Sequence, residues 1–166
     1  MIDPATQQDG EEYTAYNRRR WGGDGWTRSM RAMGEREGVA YARWTIWPNT
    51  THCSRLLMHA ERHGLGDKLL GVLNEMCYEE GENVSLRQTV ARAAVRAGVP
   101  GGEEYAMGDE GTDELMAALQ GARVNGKRVS AAPTFNLRYG GQTLDFSGAQ
   151  DYARWVSILE SLLDEQ

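Results

Sequence analysis

Two cysteines, three histidines and a cluster of carboxylates are the side chains of this 166-residue sequence with intrinsic reactivity. A dithiol redox centre needs two thiols within one turn at a helix N-terminus, where the dipole and free N–H groups lower the first thiol's pKa. Cys53 and Cys77 are too far apart in sequence for that, and both read as mid-helix, on the two arms of a helical hairpin turning at Gly64–Gly66. A disulfide wants Cα atoms within about 7 Å, closer than the roughly 8–10 Å between packed helix axes. The two therefore read as buried free thiols acting as small hydrophobes, with a regulatory disulfide as the alternative. His52, His59 and His63 fall on one side of one helix, and His59/His63 form an i, i+4 pair able to share a metal. Glu61, however, stands two residues after His59 rather than one, so the H-E-x-x-H arrangement fails and a solvated stripe is expected. Glu103, Glu104, Asp109, Glu110 and Asp113 lack the calcium-loop register. Gly22–Gly25 and Gly140–Gly141 lack the spacing of a phosphate loop. No catalytic residue, metal ligand or cofactor is assigned from these side chains.

The most specific grammar lies in Ser130 to Gln150, SAAPTFNLRYGGQTLDFSGAQ. Thr134–Tyr139 and Gln142–Phe146 alternate apolar and polar residues, which predicts two strands. Gly140-Gly141 between them suits a type I′ turn, whose two central positions need positive φ. Ser147 followed three residues later by Gln150 reads as a capping box, so a helix is expected from about Gly148. Pro133 sits just before the first strand, at the edge position where its missing N–H is tolerated.

Ala132-Pro133-Thr134-Phe135, the Gly-Gly hairpin, Ser147-Gly148-Ala149-Gln150 and a final amphipathic helix resemble the C-terminal end of the DsbA-like thioredoxin superfamily. The FrnE-like branch, with its Val-Pro-Thr-Phe and Gly-Ala-Gln, is the most similar. The resemblance implies a cis proline and a loop lying against a redox-active Cys-x-x-Cys. It implies that Ala132, Pro133 and Thr134 contact an extended peptide or small thiol substrate. Asn49-Thr50, Arg55-Leu56 and Glu80-Gly81 are similar to that branch's helical insertion. A histidine usual in the branch two residues beyond His52 is Ser54 here. Met1-Ile2-Asp3-Pro4 is similar to the segment leaving the second strand of the thioredoxin sheet, and the strand and Cys-x-x-Cys helix that come before it there do not occur in this sequence.

The elements that would position these residues follow from spacing. Helices are expected over about 11–20, 25–37, 51–63, 67–80, 85–97, 112–123 and 149–163. A strand is expected over 39–44 and a loop over 101–111, and 124–129 leads into the proline loop. Asp9–Gly10 opens the first helix; Asn49 or Thr50, Asp67 and Ser85 serve as caps to later ones. Tyr152, Val156, Leu159 and Leu163 form the expected buried stripe of the last helix.

Composition bounds the rest. The 40% hydrophobic share and five tryptophans can build a core, and the formal charge of −6 argues against a nucleic-acid or anionic-membrane surface. Arg18-Arg19-Arg20 reads as a solvated helix face. No apolar run reaches the roughly 18 residues of a membrane span, and no signal peptide is visible at Met1–Glu12. Two cysteines do not make a disulfide scaffold, so a reducing, cytoplasmic compartment is expected.

The expectation is therefore one α/β domain over 1–166. It has a thioredoxin-like fold with an all-helical insertion at about 49–123, truncated at its N-terminus. The chain should be predominantly helical with a small residual sheet, and 130–166 should hold the proline loop, hairpin and last helix. The function implied by resemblance is thiol–disulfide oxidoreduction, inactive in this chain because the Cys-x-x-Cys is absent. The alternatives are a non-catalytic binding or assembly module, or a fragment similar to the kappa-class glutathione transferase and isomerase type. An exposed hairpin edge also predicts a homodimer.

Overall fold

Eight helices and three short β-ribbons carry the chain among the described residues of a computed structural model, namely 5–39, 41, 43–124, 126–129 and 131–164. They cluster into two compact units within the span read as one domain, and the division falls between Met116 and Ala117.

The first unit contains β1 (Glu11–Glu12), α1 (Tyr13–Trp21), α2 (Gly25–Arg36), β2 (Ile46–Trp47), α3 (Thr51–Glu61) and α4 (Gly66–Asn74). A π-helical turn over Glu75–Glu79 extends α4, and α5 (Arg87–Ala97) and α6 (Gly102–Met107) follow. α7 (Thr112–Gly121) carries the boundary between units. The core is the apolar stripe of each helix: Leu56 and Ala60 from α3, Leu69 and Leu73 from α4, and Val90, Ala93, Ala94 and Ala97 from α5. The run of alanines lets α5 and α6 approach closely, and a Cβ on Gly102 would stand 2.9 Å from that of Ala94. Gly98, at φ +74°, ends α5 in the left-handed conformation that a glycine C-cap supplies.

The N-terminal part of this unit is aromatic. Tyr16 stacks on Trp47 with centroids 4.1 Å apart, and Trp44 meets Tyr13 and Tyr78 edge-on at 4.8 and 4.9 Å. This displaces the strand expected over 39–44. Trp44 is drawn into the ring cluster, and the pairing falls one step later, Glu11 opposite Trp47 and Glu12 opposite Ile46. Ala40 and Ala42 of that expected strand lie outside the described residues. The first helix also starts later than expected: the Glu12 carboxylate caps it, accepting from the N–H of Thr14 and Ala15 at 2.9 and 2.6 Å.

Two expected caps are absent. Leu65 occupies the position before α4 and no side chain bonds its end, while Asp67 lies inside the first turn. Ser85 does not cap α5; its Oγ instead accepts from the Asn49 N–H at 2.9 Å, tying two loops together. Thr50 stands at the cap of α3 without a side-chain cap bond, and Asn49, one residue earlier, has Oδ1 accepting from Thr51 N–H at 3.1 Å and from the Thr51 hydroxyl at 2.7 Å. The acidic stretch 101–111, expected as loop, contains α6.

The second unit holds β3 (Arg123–Val124), β4 (Lys127–Arg128), β5 (Thr134–Tyr139), β6 (Gln142–Ser147) and α8 (Tyr152–Asp164). β3 and β4 form a small ribbon in the stretch leading into the proline loop. β5 and β6 pair in the expected register, Tyr139 opposite Gln142 through Thr134 opposite Ser147. Gly140 and Gly141 turn the chain at φ +56° and +82°. α8 lies on this ribbon through Trp155, whose ring meets Phe135 at 4.8 Å and Phe146 at 5.3 Å, both edge-on.

The capping box is not formed. Ser147 ends β6 and its hydroxyl meets Thr134, while Gln150 Nε2 donates to Gly148 O. Asp151 takes the cap instead, accepting from the Arg154 N–H at 2.8 Å. The later start moves the buried face of α8. Ile158 and Leu162 are buried and Trp155 is half-buried, whereas Tyr152, Leu159 and Leu163 of the expected stripe are exposed. No described helix is long and apolar enough to cross a membrane.

Candidate functional site

The proline loop is the best-defined candidate. Ala132 and Pro133 are exposed, Thr134 is half-buried, and the peptide bond between Ala132 and Pro133 is cis. Ser130, the first residue of the motif, lies outside the described residues. Among the described residues, three hydrogen bonds hold the loop. The Thr134 hydroxyl donates to the Ala131 carbonyl at 2.7 Å, and Gly148 N–H donates to the Pro133 carbonyl at 2.9 Å. With its one proton committed to Ala131, Thr134 Oγ1 accepts from Ser147 Oγ at 2.9 Å.

Register decides which backbone groups this loop leaves facing outward. The two-residue turn makes Tyr139 and Gln142 the closing hydrogen-bonded pair, and pairs alternate from there. The N–H and C=O of Thr134, Asn136 and Arg138 therefore point away from β6. An exposed X-Pro bend followed by an outward-facing strand edge can receive an extended chain through main-chain bonds.

The thiols belong to the other unit. Cys53 and Cys77 are free, and each is buried in the main core cluster. Contrary to the mid-helix expectation, Cys53 stands in the first turn of α3 and Cys77 in the π-helical turn. A first-turn position favours thiolate, but desolvation wins here. Burial, followed by the neighbouring Cys77, pushes the Cys53 thiol up to about 12. Burial alone pushes Cys77 to about 12. The Cys53 thiol donates to the Val84 carbonyl at 3.2 Å, the bond of a protonated sulfur. Burial favours the protonated form of both.

The histidines are engaged in structure. His59 Nε2 donates to the Pro100 carbonyl at 2.9 Å, and its ring stacks on Tyr105 at 4.3 Å. His63 lies beside it at 4.9 Å. Among the described residues no group of three or more His, Cys, Asp or Glu is placed to hold a metal.

Sequence reading missed a buried cation. Arg55 is 1% exposed; its guanidinium donates to the carbonyls of Glu110 at 2.8 Å, Gly108 at 2.7 Å and Tyr105 at 3.2 Å. A further N–H donates to His52 Nδ1 at 3.1 Å, so that nitrogen carries no proton. Arg87 binds the same loop through Gly108 O, Met107 O and Asp109. Burial first, and then the charges of Arg87 and Arg55, hold His52 below the ordinary imidazole range. One signal was available in the sequence. Arg55 interrupts the apolar arc Cys53, Leu56, Leu57, Ala60, where a charge must find partners. The groove between α5 and α6, about 610 Å³ and lined by Ala91, Val95, Met107, Arg92 and Arg96, has no comparable chemistry. Its arginines pair with Glu82, and with Glu75 and Glu80.

Comparison with known proteins gives one kind of match. No family profile matches the sequence, and no curated protein sequence does. Among solved structures, the crystal structure of a probable DsbA oxidoreductase from Streptomyces coelicolor superposes with a TM-score of 0.75 at 21% identity. The match covers 99% of this chain and 73% of that one. The chain thus has a DsbA-like thioredoxin fold with a helical insertion.

Proposed function

We propose that the chain is a member of the DsbA class of thiol–disulfide oxidoreductases, of the FrnE-like type, and that its part in that chemistry is substrate contact. Ala132, Pro133 and Thr134 would bind an extended peptide or a small thiol through backbone groups and the exposed proline ring. The observation that carries this reading is the exposed cis X-Pro bend opening an outward-facing strand within a DsbA-like fold.

Exchange also needs a thiolate. The sequence holds no Cys-x-x-Cys, and its two thiols are buried and protonated. Binding without turnover is the expected property of this polypeptide. The free thiols fit a reducing, cytoplasmic compartment.

Two measurements test the proposal. Dithiothreitol-driven insulin reduction should show no rate above the uncatalysed one, and activity that survives Cys53→Ser with Cys77→Ser would contradict the account of exchange. In NMR titrations with glutathione and with a reduced, alkylated unfolded protein, the amides of Ala132 and Thr134 should shift for at least one probe. If both titrations leave these signals unmoved, the substrate-contact reading is lost.

A further inference from the structure

Two arginines hold the loop Gly108–Gly111 between α6 and α7. Arg55 donates to the carbonyls of Glu110 at 2.8 Å and Gly108 at 2.7 Å. Arg87 donates to the same Gly108 carbonyl and pairs with the Asp109 carboxylate. The loop lies directly on Tyr105, since a Cβ added to Gly111 would collide with the tyrosine hydroxyl. That hydroxyl is buried and has no hydrogen-bond partner among the described residues. A closed loop therefore costs the tyrosine a bond that solvent would offer, and the arginine contacts must offset that cost.

His52 completes the arrangement. Its Nδ1 accepts from Arg55 at 3.1 Å, and a guanidinium has donors only. The contact exists only while that nitrogen carries no proton. Four charged groups act on the ring: Arg55 from the same helix, Arg87 from the start of α5, Asp109 from the loop and Asp9 from the segment before β1. A proton on Nδ1 would set donor against donor and place a third positive charge beside two. The acids left to receive it are Asp9 and Asp109, and Asp109 is already the partner of Arg87.

We propose that His52 is a proton-operated latch on the Gly108–Gly111 loop. When Nδ1 takes up a proton, Arg55 is pushed from the loop carbonyls, Asp109 is drawn from Arg87 toward the imidazolium, and the loop lifts off Tyr105. Burial and the two arginines hold the ring below the ordinary imidazole range, so the latch opens on the acid side of about pH 6.5. The opening is local. Leu56, Leu69 and Val90 form the core without any residue of this loop. The proposal is independent of the proline loop and of the thiols, since it requires no substrate and no nucleophile.

Hydroxyl-radical footprinting of the full chain between pH 7 and pH 5, read by mass spectrometry, tests it alongside an NMR titration of the His52 ring protons. Tyr105 is 7% exposed, Tyr152 is 84% exposed and serves as the reference, and Met76, at 3%, reports the core. In the wild type, oxidation of Tyr105 relative to Tyr152 should rise several-fold as pH falls. Its midpoint should coincide with that of His52, while Met76 stays protected. His52→Gln should hold the pH 7 value down to pH 5. Should that variant misfold, the wild type alone decides, through the agreement of the two midpoints. Tyr105 oxidation that stays flat while His52 titrates overturns the proposal. So does a rise that His52→Gln shares, or a His52 that stays neutral until Met76 is oxidised together with Tyr105.

Discussion

Arg55 shows at the scale of one side chain how burial and charge are reconciled in this protein. Its guanidinium is out of water with no carboxylate among the described residues bonded to it, and three backbone carbonyls and a neutral imidazole accept from it. Arg55→Ala would leave those carbonyls unpaired and is expected to cost roughly 3 kcal/mol in urea unfolding. Arg55→Lys keeps the charge without the planar fork and should restore only part of that loss. His52 adds a pH dependence. Its folded pKa lies below the unfolded value of about 6.5, so the unfolded state takes up more protons in the window beneath that value. Burial, Arg87 and Arg55 set this direction, and Asp109 and Asp9 oppose it. The stabilisation is full above about pH 6.5 and falls as pH drops through the folded pKa. Between pH 7 and pH 5, urea midpoints should decline more steeply for the wild type than for His52→Gln. The thiols offer a third check at this scale. With both pushed up to about 12 and buried, neither should react with iodoacetamide under native conditions at neutral pH, and both should react in denaturant. Rapid native labelling of either would contradict the burial of that site.

Among the elements, the β5–β6 ribbon was the most legible in advance, because every local choice agrees. Alternating residues, a Gly-Gly turn needing positive φ at both positions, and a proline placed before the first strand all point to one register. Gly141→Val puts a β-branched side chain at φ +82°, with open space around it, so the cost is conformational. It should destabilise the second unit by roughly 1–2 kcal/mol, read from the loss of Trp155 signal on heating. Caps and stripes were less legible, because several residues can serve. Ser147, Asp151 and Gln150 all suit the start of α8, and the choice went to Asp151 once the strand had used the Ser147 hydroxyl. That shift carried Tyr152, Leu159 and Leu163 from the expected buried face to the surface.

For the molecule as a whole, the cluster around Leu56, Leu69 and Val90 draws only on residues between Tyr13 and Ala106. A fragment ending at Met116 is therefore expected to fold alone, with helical circular dichroism and one cooperative thermal transition. A fragment that remains unfolded would mean that the C-terminal unit supplies stability to this core.

The linear chain determined what depends on near neighbours. The main buried positions of α3, α4 and α5, the glycine stops, and the ribbon with its turn were readable, because a few adjacent residues suffice to define each one. Three-dimensional packing decided the rest. It put Cys53 in a helix's first turn yet kept it protonated, because desolvation outweighs the dipole. It drew Trp44 out of an expected strand into a cluster of rings contributed by residues from Tyr13 to Tyr78. It buried Arg55 beneath a loop some fifty positions onward. Those outcomes depend on competition among partners distant in sequence for the same space and the same hydrogen bonds, and such competition is resolved only when the chain is folded.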